Sequence, residues 1–338
     1  MKKIRFGIIG CGYIAARHAK HILAHRQAEL VGAFDTNKKR NEEFCSEHNI
    51  QIFPSLEKIL SEKNIDIVNI CTPNGTHSDL SIACSNAGKN VLVEKPMALK
   101  KTDCEKMIAA VEKNKKELFV VKQNRFNPPV QSVKKLIESN ALGKFYLVSV
   151  NCFWNRNKEY YTSSDWKGTK NMDGGTLFTQ FSHFIDIFYY LFGDISNMSG
   201  IITNAAHKNL SEFEDSGSFN FQFNKGALGS LTFTTASYKQ NMEGSITIFA
   251  ENATIKIGGK YLNVIEYQKT NDFDINDFSI PNPPNNYGNY EGSMSNHDKV
   301  IHNVIEALNK REAIMTNANE GMKVVEIIEK FYASAKTV

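Results

Sequence analysis

Gly10-Cys11-Gly12-Tyr13-Ile14-Ala15 stands directly between the apolar run Ile4 to Ile9 and the amphipathic stretch Ala15 to Ala24. A G-x-G-x-x-A turn in that position constrains the fold more than any other segment. The first glycine permits the tight turn, the second lets backbone approach a pyrophosphate, and the small third residue lets the helix close on the strand. The N–H groups of the first helical turn then face the anion. The next apolar run, Ala28 to Phe34, ends at Asp35. A carboxylate at that spacing, about 20 residues on, binds the ribose hydroxyls of NAD and repels the 2′-phosphate of NADP.

The same alternation continues to about Val121, which predicts repeated βα units around a parallel sheet. Strands are expected at Ile4 to Ile9, Ala28 to Phe34, Ile65 to Cys71, Asn90 to Glu94 and Leu118 to Lys122. Helices are expected at Ala15 to Ala24, Lys38 to His48, Leu56 to Ser61, His77 to Ala87 and Lys101 to Asn114. Thr102 and Glu105 have the spacing of a capping box with Thr102 as N-cap. After Arg125 the pattern changes to one helix, Pro129 to Ser139, followed by hairpin-like runs such as Glu214 to Phe223 and Leu228 to Tyr238 around Asn224-Lys225-Gly226. The expectation is an α/β Rossmann dinucleotide-binding domain over 1–122 and an α+β domain with an open, mainly antiparallel sheet over 123–338. Phe219, Phe221, Phe223 and Phe233 alternate in its strands and predict a core and a subunit interface, hence a homodimer or homotetramer. Residues 270–296, rich in Asn, Asp, Pro, Gly and Tyr, are too long for an ordinary connection and are expected to be either mobile or functional. Two helices, Asp298 to Leu308 and Asn319 to Ser334, close the chain.

Several classes of function fall away. The 40 basic and 36 acidic residues are interspersed, so no basic stripe marks a nucleic-acid surface. The six cysteines contain no CxxC pair and read as reduced, structural thiols. The start of the chain lacks a signal-type apolar run and no stretch has the length of a membrane span, so a cytoplasmic location without membrane partners is expected. His18, His21 and His25 share a helical face, but no nearby carboxylate or cysteine completes a metal set, and His297 with His302 is a similar case. No metal is expected.

Thr72-Pro73-Asn74 with His77 beyond it, and Glu94-Lys95-Pro96, follow strand ends, where ligands bind in open α/β sheets. Together with the glycine turn they resemble the Gfo/Idh/MocA sugar oxidoreductases. Asp173-Gly174-Gly175-Thr176-Leu177, then Gln180, His183, Asp186 and Gly193, are similar to that family's Gly-Gly segment, so the resemblance covers nearly the whole chain. It implies NAD held by Gly10, Gly12, Tyr13, Ile14, Asp35, Thr72, Asn74, His77, Glu94, Lys95, Gln123 and Trp166. It further implies that Lys95 hydrogen-bonds the reacting hydroxyl and that His183 acts as acid/base or shares that role. Thr179 stands where many members carry Asp, which weakens an Asp–His relay and shifts the duty toward Lys95.

Gln123-Asn124-Arg125-Phe126-Asn127-Pro128, Trp154-Asn155-Arg156, Tyr160-Tyr161, Asp165-Trp166-Lys167-Gly168-Thr169 and Thr179-Gln180 look like the branch that oxidises C3 of UDP-N-acetylglucosaminuronates for O-antigen synthesis. The substrate set is then Lys95, Asn124, Arg125, Tyr161, Thr179, Gln180 and His183. Arg125 is suited to a carboxylate or phosphate and equally to capping the domain junction. A dehydrogenase of a free sugar or inositol, or a noncatalytic NAD-binding regulator, remains as an alternative.

Overall fold

A computed structural model describes residues 3–271, 273–275, 282–286 and 290–338. The chain divides into two compact units, Met1–Lys122 with His297–Val325, and Gln123–Asn296 with Glu326–Val338.

In the first unit the elements run β1 (Ile4–Ile9), α1 (Tyr13–Ala24), β2 (Ala28–Phe34), α2 (Lys38–His48), β3 (Gln51–Ile52), α3 (Leu56–Ser61), β4 (Ile67–Ile70), α4 (His77–Asn86), β5 (Asn90–Val93), α5 (Lys101–Asn114) and β6 (Leu118–Val120). The sheet order is β3-β2-β1-β4-β5-β6 with every pairing parallel. That is a Rossmann sheet, whose strand order reverses between β1 and β4 and so opens a ligand crevice at their carboxyl ends. Strands β4 and β6 are buried throughout, as helices on both faces require. The capping box does not form: α5 begins at Lys101 after an extended Lys100, which places Thr102 inside the helix. The domain expected over 123–338 is also interrupted. Helix His297–Leu308 packs on α1 and buries Val300, Ile301, Val304 and Ile305 in the first unit.

The second unit contains α6 (Pro128–Glu138), β7 (Phe145–Phe153), α7 (Lys158–Thr162), α8 (Thr176–Thr179), α9 (Ser182–Phe192), β8 (Ile195–Thr203), β9 (Ser216–Phe223), β10 (Leu228–Thr234), β11 (Glu243–Ala250), β12 (Ala253–Gly258), β13 (Val264–Thr270), β14 (Pro284–Asn286) and β15 (Glu291–Met294). Beyond α10 (His297–Leu308), α11 (Ala318–Ser334) spans the division between units and leads to β16 (Ala335–Thr337). The eight strands lie in the order β13-β12-β11-β7-β10-β9-β8-β16, parallel only at β7–β10 and β8–β16 among the described pairings. Phe219, Phe221, Phe223 and Phe233 all face the core, stacking with Phe188 of α9 and Phe331 of α11, so these aromatics do not form the free face of the sheet. Among the described residues no helix is long and apolar enough to cross a membrane.

Candidate active site

Gly10 takes φ +89°, and a Cβ there would lie 2.7 Å from the Cys71 carbonyl, so only glycine fits between β1 and β4. Gly12, the N-cap of α1, has nothing within 4 Å of where a Cβ would stand, and neither a side-chain cap nor an acidic residue occupies that helix end. Tyr13 is exposed and Ile14 half-buried in the same first turn. Asp35 is 8% exposed; its carboxylate accepts the Cys11 N–H at 2.8 Å and the Asn37 N–H at 2.7 Å, with the Arg40 guanidinium at 3.5 Å. The open helix end and this anchored carboxylate fit the pyrophosphate and ribose of NAD.

Thr72 and Thr76 hydroxyls share a 2.7 Å hydrogen bond, and Asn74 is buried at the turn that leads into α4. His77, expected at the cofactor, is instead fully buried: Nδ1 lies 2.7 Å from the Pro96 carbonyl and Nε2 3.0 Å from that of Thr72. It straps the two ligand-facing loops together. Burial pushes its pKa below that of free histidine, against the two carbonyls. Glu94 also turns inward. Its carboxylate meets His18 Nε2 at 2.8 Å and, with His297, makes a buried group whose ligand-type atoms lie within 4.8 Å of one another. The fold thus supplies the carboxylate that α1 lacks in sequence.

In the second unit His183 lies in the first turn of α9, 5% exposed, with Nε2 3.4 Å from the Ser293 hydroxyl. Ser293 in turn accepts from Gln123 Nε2 at 2.8 Å. Gln123 therefore serves to order the His183 neighbourhood. Asn124 is 1% exposed, and neither polar atom of its amide has a hydrogen-bond partner among the described residues. Thr179 donates to the Asp173 carboxylate, whose other oxygen accepts the Gly168 N–H at 2.7 Å.

Two expected substrate contacts are committed elsewhere. Arg125 is fully buried and bidentate to Asp186, at 2.9 and 2.7 Å, with Tyr190 at 4.7 Å, so its guanidinium is engaged within the second unit. Gln180 accepts from Arg156 Nε at 2.6 Å and donates to the Tyr160 hydroxyl at 2.6 Å. Tyr161 is buried, its hydroxyl pushed up to about 12 by desolvation. Trp166 is half-buried in the loop between α7 and α8.

The sequence marks 270–296 as mobile or functional but does not say what it does. Residues 272, 276–281 and 287–289 of that stretch lie outside the described residues. Of the rest, Pro284–Asn286 and Glu291–Met294 pair as β14 and β15, with Ser293 beside His183 and Tyr290 beside the Arg156 guanidinium, 5.0 Å away. Lys167 completes this cluster. Its Nζ sits 4.3 Å from the Tyr160 ring centre and 5.4 Å from that of Tyr290, and burial pulls its pKa down to about 8 although Asp173 opposes the shift. A half-buried cation beside polar and aromatic groups suits an anionic sugar.

The family model described as "Oxidoreductase family, NAD-binding Rossmann fold" matches residues 4–122, and "Oxidoreductase family, C-terminal alpha/beta domain" matches 134–338. The WlbA dehydrogenase of Bordetella pertussis, solved with NADH and UDP-GlcNAcA, is 35% identical, with 98% of this chain and 96% of that one covered and a TM-score of 0.88. The Chromobacterium violaceum WlbA complex with the same two ligands is 33% identical over 99% and 94% of the two chains, with a TM-score of 0.90. Myo-inositol 2-dehydrogenase of Thermotoga maritima is 29% identical over 148 residues, which is 44% of each protein. The chain belongs to the Gfo/Idh/MocA family of oxidoreductases and is an NAD-dependent dehydrogenase acting on a CH–OH group.

Proposed function

We propose that the protein oxidises the C3 hydroxyl of UDP-N-acetylglucosaminuronate, in the cytoplasm, for synthesis of a cell-surface polysaccharide. The observation that carries this reading is the full-length likeness, at 33–35% identity, to two dehydrogenases solved with UDP-GlcNAcA. The likeness to an inositol dehydrogenase spans less than half of the chain. The half-buried Lys167 beside Tyr160 and Tyr290 supports an acidic sugar.

NAD, when bound, would supply the hydride acceptor. Gly10, Gly12 and Asp35 would hold its pyrophosphate and adenosine ribose, with Thr72 and Asn74 at the adjoining strand end. Lys95 hydrogen-bonds the hydroxyl being oxidised, and His183, oriented by Ser293 and Gln123, takes up its proton. Thr179 cannot polarise His183 as a carboxylate would, so Lys95 carries more of the work.

The test is NADH formation with UDP-GlcNAcA, UDP-GlcNAc and myo-inositol in parallel. Only UDP-GlcNAcA should turn over, and Lys95→Met should lower that rate by about 1000-fold or more while NADH binding persists. Turnover of myo-inositol in place of the nucleotide sugar would replace this substrate, and full activity of Lys95→Met would refute the role of the lysine.

A further inference from the structure

Lys95 follows Glu94 at the end of β5, and the carboxylate of Glu94 binds on both sides. One oxygen, Oε2, accepts the Lys95 backbone N–H at 3.2 Å. The other, Oε1, lies 2.8 Å from His18 Nε2 and 3.8 Å from His297 Nε2. Three separate elements converge here: α1 brings His18, β5 leads to Glu94 and α10 begins at His297, with the three residues 1%, 6% and 1% exposed. The imidazoles of His18 and His297 lie 5.6 Å apart, centre to centre.

The direction of the hydrogen bonds follows from Asn69 on β4. Its side-chain Nδ2 lies 2.9 Å from His18 Nδ1 and can only donate, so Nδ1 accepts and the imidazole proton sits on Nε2, aimed at Glu94. A metal ion is a poorer reading of the same atoms. Ligands about 2.0 Å from a tetrahedral zinc stand more than 3 Å apart, whereas His18 and Glu94 touch at hydrogen-bond distance. Burial alone would raise the Glu94 carboxyl. The hydrogen bond from His18 and the positive charge of Lys95 overcome that and hold it well below the usual carboxylate range. An anion kept ionised out of water needs compensating partners of this kind.

We propose that His18 and Glu94 are positioning residues for Lys95: His18 fixes the Glu94 carboxylate, the carboxylate fixes the Lys95 backbone, and His297 seals the group from solvent. This rests on the proposed role of Lys95. Neither histidine touches a reacting atom; both act through the main chain on which the lysine is mounted. A displacement of about 1 Å at a reacting group is enough to cost on the order of a hundredfold in rate.

The experiment compares His18→Ala, His18→Gln, Glu94→Gln and Lys95→Met in the full chain saturated with NAD, using UDP-GlcNAcA as the probe. His18→Ala and Glu94→Gln should lower kcat by about tenfold to a hundredfold, with KM for NAD and for the sugar within about threefold of the parent. Glu94→Gln keeps the shape but turns an amide N–H toward a donor, either His18 Nε2–H or Lys95 N–H. The amide of His18→Gln still donates to Glu94, so this variant should recover most of the activity lost in His18→Ala. Hydrogen exchange supplies a readout independent of substrate: the Lys95 amide should exchange about tenfold faster in His18→Ala and Glu94→Gln, with β1 protected as in the parent. Unchanged exchange at Lys95 overturns the proposal, as does an unchanged kcat in both variants when Lys95→Met is inactive. An active Lys95→Met refutes the role of the lysine itself, which is a different result.

Discussion

Asp35 binds two backbone N–H groups, from Cys11 and Asn37, and so couples the glycine turn to the end of β2 before any cofactor arrives. Arg40 waits beside it at 3.5 Å, 55% of its side chain exposed. With the carboxylate present a 2′-phosphate is repelled; without it, the same guanidinium would be free to pair with one. Asp35→Ser should therefore weaken NAD by about tenfold to a hundredfold, the loss of a charge-assisted hydrogen-bond pair, and raise kcat/KM for NADP. Steady-state kinetics with both cofactors checks this, and an unchanged ratio of the two would remove Asp35 from cofactor choice. Asp35 is legible in the sequence because its partners are local to the βα unit. Arg125 is the opposite case: nothing near it in sequence announces Asp186, which lies 61 residues away, and the bidentate pair turns an apparent substrate contact into a buried support. Glu94 and His77 are singled out by their motifs alone, and their inward orientation depends on Pro96, Asn69 and His297, which only the fold assembles.

At the scale of elements, α8 begins at a constrained point. Gly175 takes φ +138°, and a Cβ there would strike the Tyr332 hydroxyl of α11. That hydroxyl donates to Glu214 at 2.6 Å and accepts from the Leu177 N–H at 3.1 Å, while Glu214 accepts the Thr176 N–H at 3.1 Å. The pair thus satisfies the N–H groups that open the segment leading to His183. Burial raises the Glu214 carboxyl from 4.5 to about 7 against these hydrogen bonds. The sign follows directly: the folded state binds the proton between pH 4.5 and 7 and the unfolded state does not, so this contribution is complete below pH 4.5 and lost as pH rises through 7. The full span corresponds to about 3 kcal/mol. Glu214→Gln retains the acceptor oxygen and removes the titration, so the stability difference between variant and parent should grow from pH 5 to pH 8 in urea unfolding; a pH-independent difference would contradict it. The helices and buried strands of the first unit are legible because their periodicities differ plainly and glycines separate them. Gln51–Ile52 is not, being two exposed residues on an edge, and neither are the short helices α7 and α8, which capping and tertiary hydrogen bonds hold rather than an apolar stripe. Thr102 shows how a cap spacing misleads when the preceding backbone enters the helix two residues early.

At the scale of the whole chain, the eight-stranded sheet turns Phe219, Phe221, Phe223 and Phe233 to one side, where Phe188 of α9 and Phe331 of α11 meet them, and presents a different surface on the other. Hydroxyls pair across that side, Ser218 with Thr232 and Ser230 with Ser149. At one end of it stand Phe249, Leu147 and Leu228, in register across β11, β7 and β10 and 39%, 37% and 60% exposed. Three large apolar side chains in a row on an exposed sheet face are uncommon in a monomer and are the kind of surface that a symmetric contact covers. The alternation of the four phenylalanines reveals that this region is a sheet, but not which side lies open; that follows from strand order and from α9 and α11 covering the aromatic side. We propose that a second copy of the chain covers the row. Leu147→Glu combined with Leu228→Lys keeps opposite charges directly opposed within one sheet, so the isolated fold should retain its stability while an apolar contact between copies is broken. Sedimentation equilibrium should then show an oligomer for the parent and a smaller species for the double variant, with unfolding midpoints compared at equal concentration because association itself stabilises. A parent that sediments as a monomer, or a double variant of unchanged mass, would assign the row to some other purpose.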